Sequence, residues 1–337
     1  MEMGRKAVIL IFSTTKDYTT FEVIKWLHHF GEHDIVRINA DEKKTILFHV
    51  QNNSFTLQID GQVIESSQIK AVWYRKGIDW LGGQFHEVAL KEHPRLAAYL
   101  NKKARQENQK LSEYIHYVIE QHLPVLGSAF KSDLNKLIIL DMAQSVDLHI
   151  PEFYILNEKR AIENLVHSDK SYITKSMSDG VYLFESEEKS KGYFTYTESL
   201  TKESLEHYPE KISPSFMQSY IEKQYEVRVF YLDGRFFAWA IFSQSDDQTH
   251  TDYRKYNTQK PNRVVPYVLP DTVAHKLADL FNHIGLNTGS VDLIVDRQQT
   301  YYFLEINPVG QFSALSQLTN YQLEAEVARW LIDHAKS

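Results

Sequence analysis

The chain has 337 residues, of which 43% are hydrophobic and 24% charged, so it is long enough for two or three lobes and too long for one ordinary core. Its net charge of −7 argues against a general nucleic-acid binder, because neutralising phosphates requires a basic surface. No cysteine occurs, which excludes disulfides and thiolate metal sites and favours a reducing cytoplasm.

The first third of the chain predicts an α/β domain. It opens with two apolar runs on either side of a segment with helical spacing, which is a strand–helix–strand pattern: residues 7–12, 18–30 and 34–39. The first run is too short for a signal peptide, and no later run approaches the length of a membrane span. Residues 45–59 alternate and end at the Asp60-Gly61 turn, which indicates an antiparallel hairpin appended to the sheet. A short strand and a long amphipathic helix complete the domain: residues 71–74 and 94–123.

The rest of the chain predicts short helices among many strands. We expect helices at residues 132–146, 161–166, 202–208, 271–284 and 324–334. We expect strands at residues 151–155, 172–175, 215–221, 225–232, 235–242, 290–295 and 300–306. A hairpin-like stretch covers residues 181–197, and the polar segment 243–261 lacks periodicity, which is typical of an active-site loop.

Oxygen-bearing side chains interrupt two apolar strands near the C-terminus. Asp292 lies in the first strand, and Glu305 and Asn307 lie two residues apart in the second, so the last two point to the same face. If the two strands pair as a hairpin, all three side chains meet. Two carboxylates and an amide carbonyl are hard ligands suited to Mg²⁺ held together with phosphate oxygens. The alternative is a pair of strands with polar edge residues, and the apolar setting of the whole set argues against it.

The run from Asp292 to Glu305-Ile-Asn307-Pro308 resembles the metal hairpin of the ATP-grasp ligases, and other motifs follow in the order of that family. The resemblance covers about residues 124–337. It implies an α/β ATP-grasp fold with an N-terminal pre-ATP-grasp α/β domain, a central small α/β lobe and a C-terminal antiparallel-sheet lobe: residues 1–123, 124–212 and 213–337. The implied cofactors are ATP and Mg²⁺.

The resemblance also implies nucleotide-binding residues. Lys136 and Lys175 match the family's two nucleotide lysines, the second of them at the end of an apolar strand. In the matching adenine hinge, the Ser219 carbonyl and the Ile221 amide would pair with the base. The hinge comprises Gln218, Ser219, Tyr220 and Ile221. Glu226, five residues further on, matches the ribose-binding acid.

Two arginines match the residues that contact phosphates, and they are the implied catalytic residues. Arg228 follows Glu226 on the same strand face, and Arg254 lies in the polar segment 243–261. Arginine suits this role because its planar fork pairs phosphate oxygens bidentately. Residues 176–180 match the phosphate-covering flap, although they contain one glycine, fewer than is usual.

The segment containing Arg75, the Gly310-Gln311-Phe312 sequence and the chain length resemble one branch, the ligases that make graspetides (the microviridin and grasp-with-spasm group). The resemblance implies joining of Asp or Glu side chains of a ribosomal precursor peptide to Thr or Ser hydroxyls or Lys amines. Residues 181–197 lie where that branch binds the leader segment of the precursor. The expected substrate contacts are Arg75, Tyr182, Phe184, Glu185, Glu187 and Glu188.

Two other functions stay open at this point. One is a ligase that adds free amino acids to a carboxylate, as glutamate-ligase relatives do, and the other is a non-catalytic nucleotide- or peptide-binding module. Intact phosphate arginines and metal ligands argue against the module. We expect a cytoplasmic enzyme with a precursor peptide as its partner and neither nucleic acid nor membrane. The helix at 94–123 and the resemblance both favour a homodimer.

Overall fold

Strands and helices alternate along the first part of the chain, in a computed structural model that describes residues 7–42, 46–76, 79–81, 88–178, 182–184, 192–244 and 262–336. The described chain forms two compact units. Unit 1 comprises Met1–Ser132, Leu286–Thr288 and Pro308–Ser337, and unit 2 comprises Asp133–Gly285 and Gly289–Asn307. Within these residues, no helix combines the length and the apolar composition needed to cross a bilayer.

The first elements of unit 1 are β1 (Val8–Ser13), α1 (Tyr18–His29), β2 (Ile35–Asn39), β3 (Ile46–Gln51), β4 (Ser54–Ile59), β5 (Gln62–Glu65), β6 (Ile69–Tyr74), α2 (Pro94–His122) and β7 (Val125–Leu126). A parallel sheet in the order β2-β1-β6-β7 forms its centre. Every residue of β1 is buried, as is expected of a strand that is covered on both faces. The apolar runs of the sequence therefore predicted β1, β2 and β6 correctly, whereas the two-residue strand β7 was not predicted.

The predicted hairpin at 45–59 is present, but its attachment to the parallel sheet was wrong. Strands β3, β4 and β5 form a separate antiparallel sheet. The two strands of the hairpin are joined by a turn at Asn52, where φ is 50°. A second turn follows at Asp60 and Gly61, with φ of 51° and 83°. Two tight turns give each strand a partner next to it in the sequence.

Gly127 follows β7 with φ of 83°, a conformation that costs an L-residue energy. A Cβ atom there would lie 2.9 Å from the Tyr74 carbonyl oxygen. We expect Gly127→Ala to lower the free energy of unfolding by at least about 2 kcal/mol, measured by urea titration. Gly61→Ala is the matched control, because Gly61 has the same φ of 83° and nothing within 4 Å of its added Cβ. Equal losses in the two variants would show that the contact with Tyr74 is unimportant.

Unit 2 contains α3 (Lys136–Ser145), β8 (Phe153–Glu158), α4 (Lys159–Val166), β9 (Tyr172–Lys175), β10 (Tyr182–Phe184), β11 (Gly192–Phe194), β12 (Glu198–Ser199), α5 (Lys202–Leu205), β13 (Lys211–Ser219), β14 (Lys223–Leu232), β15 (Arg235–Phe242), β16 (Arg263–Tyr267), α6 (Asp271–Ile284), β17 (Thr288–Asp296) and β18 (Tyr301–Asn307). One sheet has the order β12-β9-β13-β8, and a second has the order β16-β15-β14-β17-β18. Unit 1 closes with α7 (Ser313–Thr319) and α8 (Leu323–Ala335).

The second sheet of unit 2 has one apolar face and one polar face. On the apolar face, Tyr231 of β14 stacks on Phe281 of α6, with ring centroids 4.1 Å apart. Arg228 lies three residues before Tyr231, so strand alternation directs it to the opposite face. The polar face thus carries the residues that the sequence assigns to phosphates and metal.

Three local predictions need correction. The helix expected from 132 begins at Lys136, because Asn135 is its N-cap and accepts hydrogen bonds from the amides of Leu137 and Ile138. Strand β16 was not predicted. A proline is unfavourable in the interior of a sheet, but Pro266 is tolerated because β16 lies at a sheet edge. Helix α7 was also missed, because only two turns of sequence carry its pattern.

Candidate active site

The two strands that carry the predicted metal ligands pair as expected. Strands β17 and β18 are antiparallel, with Asp292 directly opposite Glu305 and Ser290 opposite Asn307. The register shifts at Asp292, because Leu293 pairs with Phe303. Such a bulge re-aims side chains and occurs often beside active sites. The carboxylates of Asp292 and Glu305 therefore lie side by side on the polar face of the sheet.

Each of these carboxylates is paired with a cation. Nη1 of Arg228, on β14, lies 3.2 Å from both oxygens of Asp292. Nζ of Lys136 lies 2.9 Å from Oε2 of Glu305. The four side chains are 13% to 35% exposed, so solvent screens the attraction only in part. The cluster holds two positive and two negative charges, which offsets the repulsion between neighbouring carboxylates.

The donor set fits Mg²⁺ that also binds a nucleotide. Within the described residues there is no group of three or more His, Cys, Asp or Glu side chains that could hold a metal by themselves. Mg²⁺ is usually held by one or two carboxylates and completes its shell with waters and substrate phosphates. Asp292 and Glu305 supply two carboxylates, and Asn307 is exposed at the end of β18. A set of this kind is incomplete without phosphate oxygens.

Lys136 joins three parts of unit 2. It is the first residue of α3, and besides Glu305 it donates a hydrogen bond to the Ser176 carbonyl at 2.9 Å. Ser176 follows Lys175, the other expected nucleotide lysine, at the end of β9. Nζ of Lys175 lies 5.7 Å from the ring centroid of Phe216, the residue opposite it on β13. Both lysines thus lie at the start of the expected phosphate-covering loop.

The expected adenine hinge follows the buried end of β13. The amide of Ser219 donates to the Glu152 carbonyl, and the amide of Tyr220 donates to the Ser171 carbonyl, each at 2.8 Å. These bonds use different groups from the Ser219 carbonyl and the Ile221 amide that would pair with adenine. Gln218 is 1% exposed, and its Nε2 has no hydrogen-bond partner within the described residues. A buried donor of this kind suits the nitrogen acceptors of an adenine edge.

Glu226, the expected ribose-binding acid, is buried on the same face as Arg228. Its Oε1 is paired with Nζ of Lys223 and accepts a hydrogen bond from Oγ of Ser243 at 3.0 Å. Burial raises the pKa of Glu226. The contacts with Lys223 and Ser243 lower this pKa, and the charge of Asp292 raises it. The sequence analysis missed Lys223 and Ser243. A buried lysine three residues before an acid has no periodic signal in a strand.

The remaining expected contacts fall into two groups. Arg254, Glu185, Glu187 and Glu188 lie outside the described residues. Tyr182 and Phe184 belong to β10, which pairs with β11 in an antiparallel hairpin, so the predicted hairpin is present at this position.

Arg75 belongs to unit 1 and is 3% exposed. Its guanidinium lies 3.4 Å from the Asp17 carboxylate and donates to the carbonyls of Val309 and Gly310. These contacts are structural, and the substrate role of Arg75 stays a prediction.

No family model and no curated protein matches the sequence. The solved structures that are similar over almost the whole chain include the following three. One is an ATP-grasp ligase associated with a ribosomal peptide product, from Chryseobacterium gregarium, in complex with ADP and a leader and core peptide. It is 22% identical to this chain with a TM-score of 0.77, and the match covers 97% of both chains. The macrocyclase MdnC from Microcystis aeruginosa, bound with its precursor peptide MdnA, is 24% identical with a TM-score of 0.73, over 97% of this chain and 99% of that one.

The third similar structure is D-alanyl-alanine synthetase A from Vibrio cholerae, which is 14% identical with a TM-score of 0.59 over 98% of both chains. Identities this low show the fold alone. The mixed α/β architecture, the four-stranded and five-stranded sheets of unit 2 and these likenesses together confirm the fold expected from the metal hairpin. The chain has the ATP-grasp fold.

Proposed function

We propose that the chain is an ADP-forming ligase that uses ATP and Mg²⁺ to activate a carboxylate as an acyl phosphate. The observation that carries this proposal is the cluster of two carboxylates and two cations on one sheet face, made by Asp292, Glu305, Arg228 and Lys136. Cations placed here can offset the negative charge that develops on a transferred phosphoryl group, which a module that only binds a ligand does not need. The similarity to ADP-bound ligases supports the same conclusion.

In the proposed reaction the protein contributes charge and position. Asp292, Glu305 and Asn307 would hold Mg²⁺, which would supply positive charge to the phosphate oxygens when bound. Lys136 and Arg228 can turn from their carboxylate partners to the transferred phosphoryl group, where negative charge develops. Lys175 and Arg254 complete this set in the proposal. The second step, attack on the acyl phosphate, depends on holding the nucleophile close to it.

We further propose that the substrate is a ribosomal precursor peptide, whose Asp or Glu side chains are joined to Thr or Ser hydroxyls or Lys amines as macrocycles. Two similar structures contain a precursor, or a leader and core, peptide. We propose that the leader of the precursor binds at residues 181–197, which include the β10–β11 hairpin. The weaker likeness to a D-alanyl-alanine synthetase favours a second candidate, a ligase of free amino acids.

The quaternary state, the location and the domain division belong to this proposal as well. Helix α2 exposes several large apolar side chains, which supports a homodimer: Leu96, Tyr99, Leu100 and Tyr117. The absence of cysteine supports a cytoplasmic location. We also propose a division into three parts, at residues 1–123, 124–212 and 213–337, in addition to the two compact units.

Co-expression with a short peptide rich in Thr, Asp and Glu, encoded beside the gene, tests the substrate class. Intact mass of the peptide is the measurement. Loss of one water per crosslink is the expected result, since each ester or amide forms with loss of water. A gain in mass equal to added amino acids would support the second candidate, and an unchanged mass with every neighbouring peptide would contradict the macrocyclase proposal.

A further inference from the structure

Lys223 is a buried cation of the nucleotide site that the proposed reaction leaves without a role. We propose that Lys223, together with Ser243, is a positioning residue that fixes the Glu226 carboxylate for the ribose hydroxyls of ATP. The inference rests on the proposed function, because it deepens the assignment of the nucleotide site. Lys223 and Ser243 orient the Glu226 side chain, and Glu226 in turn binds ribose.

Two donors converge on one oxygen of Glu226. Nζ of Lys223 lies 2.5 Å from Oε1, and Oγ of Ser243 lies 3.0 Å from the same atom. The Lys223 side chain is 2% exposed and the Ser243 residue is fully buried, so neither donor can exchange its partner for water without opening the site. Because both bonds fall on Oε1, the rotation of the carboxylate is fixed. A carboxylate accepts through both of its oxygens, so Oε2 can accept a hydroxyl of ribose.

Lys223 also favours the ionised form of Glu226, against the effect of burial on its pKa. Burial and the neighbouring Asp292 both raise the pKa of Glu226, whereas Lys223 and Ser243 counter them. An ionised carboxylate only accepts hydrogen bonds, which suits two hydroxyl donors, whereas a protonated one would offer a competing donor. Ser243 follows β15 directly, so the orientation of Glu226 depends on one residue of its own strand, Lys223 on β14, and on one residue at the end of the neighbouring strand β15.

Calorimetric titration with Mg²⁺ and either ATP or 2′,3′-dideoxy-ATP tests the inference. We expect the unaltered protein to prefer ATP, and Lys223→Met to weaken ATP binding by about ten- to a hundredfold while changing dideoxy-ATP binding little, as is typical when a hydrogen bond to a charged group is lost. Lys110→Met is the matched control, because Lys110 pairs with Glu113 three residues on but is exposed. It should keep the preference for ATP.

The inference would be overturned if Lys223→Met weakened the binding of ATP and of dideoxy-ATP equally, or weakened neither. If Lys223→Met does not fold, the double variant Lys223→Met with Glu226→Gln removes both buried charges and keeps the shape of the acid. This variant should bind ATP and dideoxy-ATP equally, and a retained preference for ATP would overturn the inference as well. If the unaltered protein binds neither nucleotide, the proposed function itself is wrong, and that outcome is distinct from the others.

Discussion

Glu305→Gln is expected to reduce Mg²⁺-dependent ADP formation at least about a hundredfold. The amide keeps the shape of the side chain but lacks the charge that would hold Mg²⁺. It also leaves Lys136 without the carboxylate partner that lies 2.9 Å away. Because the Glu305 side chain is 35% exposed, stability should change little. Release of ADP from ATP in the presence of the precursor peptide is the measurement.

Glu113→Gln is the control for this experiment, because it makes the same chemical change at an exposed ion pair on α2. Its ADP formation should equal that of the unaltered protein. Normal Mg²⁺-dependent turnover by the Glu305→Gln protein would show that the paired carboxylates of β17 and β18 do not hold the metal.

Asp17→Ala is expected to lower the free energy of unfolding by roughly 3–5 kcal/mol, because it leaves a buried guanidinium without its carboxylate. The Asp17 side chain is completely buried, lies 3.4 Å from Arg75, and accepts the N-cap hydrogen bond from the Thr20 amide. Urea unfolding provides the measurement. Asp41→Ala is the control, since Asp41 also accepts a hydrogen bond from a backbone amide, that of Thr15, but lies at the surface. This substitution should lower the free energy of unfolding by about 1 kcal/mol.

The contribution of Asp17 should also depend on pH. Burial raises the pKa of Asp17, but Arg75, the Thr20 amide and Lys76 outweigh it, so that the pKa lies below the ordinary value of 3.8. A depressed pKa in the folded state gives stability that is fully present above that ordinary value and is lost as the pH falls through the folded-state value. The difference between the unaltered protein and Asp17→Asn should therefore shrink in acid below about pH 4. A difference that stays constant with pH would contradict the pairing.

Much of the fold follows from local sequence patterns. Strands Tyr172–Lys175 and Arg235–Phe242 and helix Asp271–Ile284 begin and end where periodicity and turn residues predict. The secondary-structure predictions are wrong where an element depends on non-local contacts or on a weak local sequence signal. Strand β16 depends on its edge position, and the start of α3 depends on which of several polar residues caps the helix. The separate β3–β4–β5 sheet depends on a turn at Asn52 that alternation alone conceals.

The candidate site was predictable where its residues share one hairpin. Alternation puts Glu305 and Asn307 on one face, and pairing of the two strands as a hairpin was expected to bring Asp292 close to them. In the structure the two strands do pair, with Asp292 opposite Glu305. The cations come from distant elements, α3 and β14, so only the resemblance to a family could suggest them. The contacts of Lys223 with Glu226 and of Lys136 with the Ser176 carbonyl depend on burial and on the folded backbone, which no spacing in the sequence reveals.

If ATP activates a carboxylate as an acyl phosphate, one oxygen of that carboxylate is transferred to phosphate, and isotope labelling detects this transfer. The peptide that loses mass in co-expression would be prepared with ¹⁸O in its Asp and Glu carboxylates and incubated with the protein, ATP and Mg²⁺. Attack of a carboxylate oxygen on the γ-phosphate carries that oxygen into the phosphate that later leaves. We therefore predict ADP and one ¹⁸O in the released phosphate for each bond formed. Release of AMP and pyrophosphate, or of phosphate without ¹⁸O, would contradict activation as an acyl phosphate.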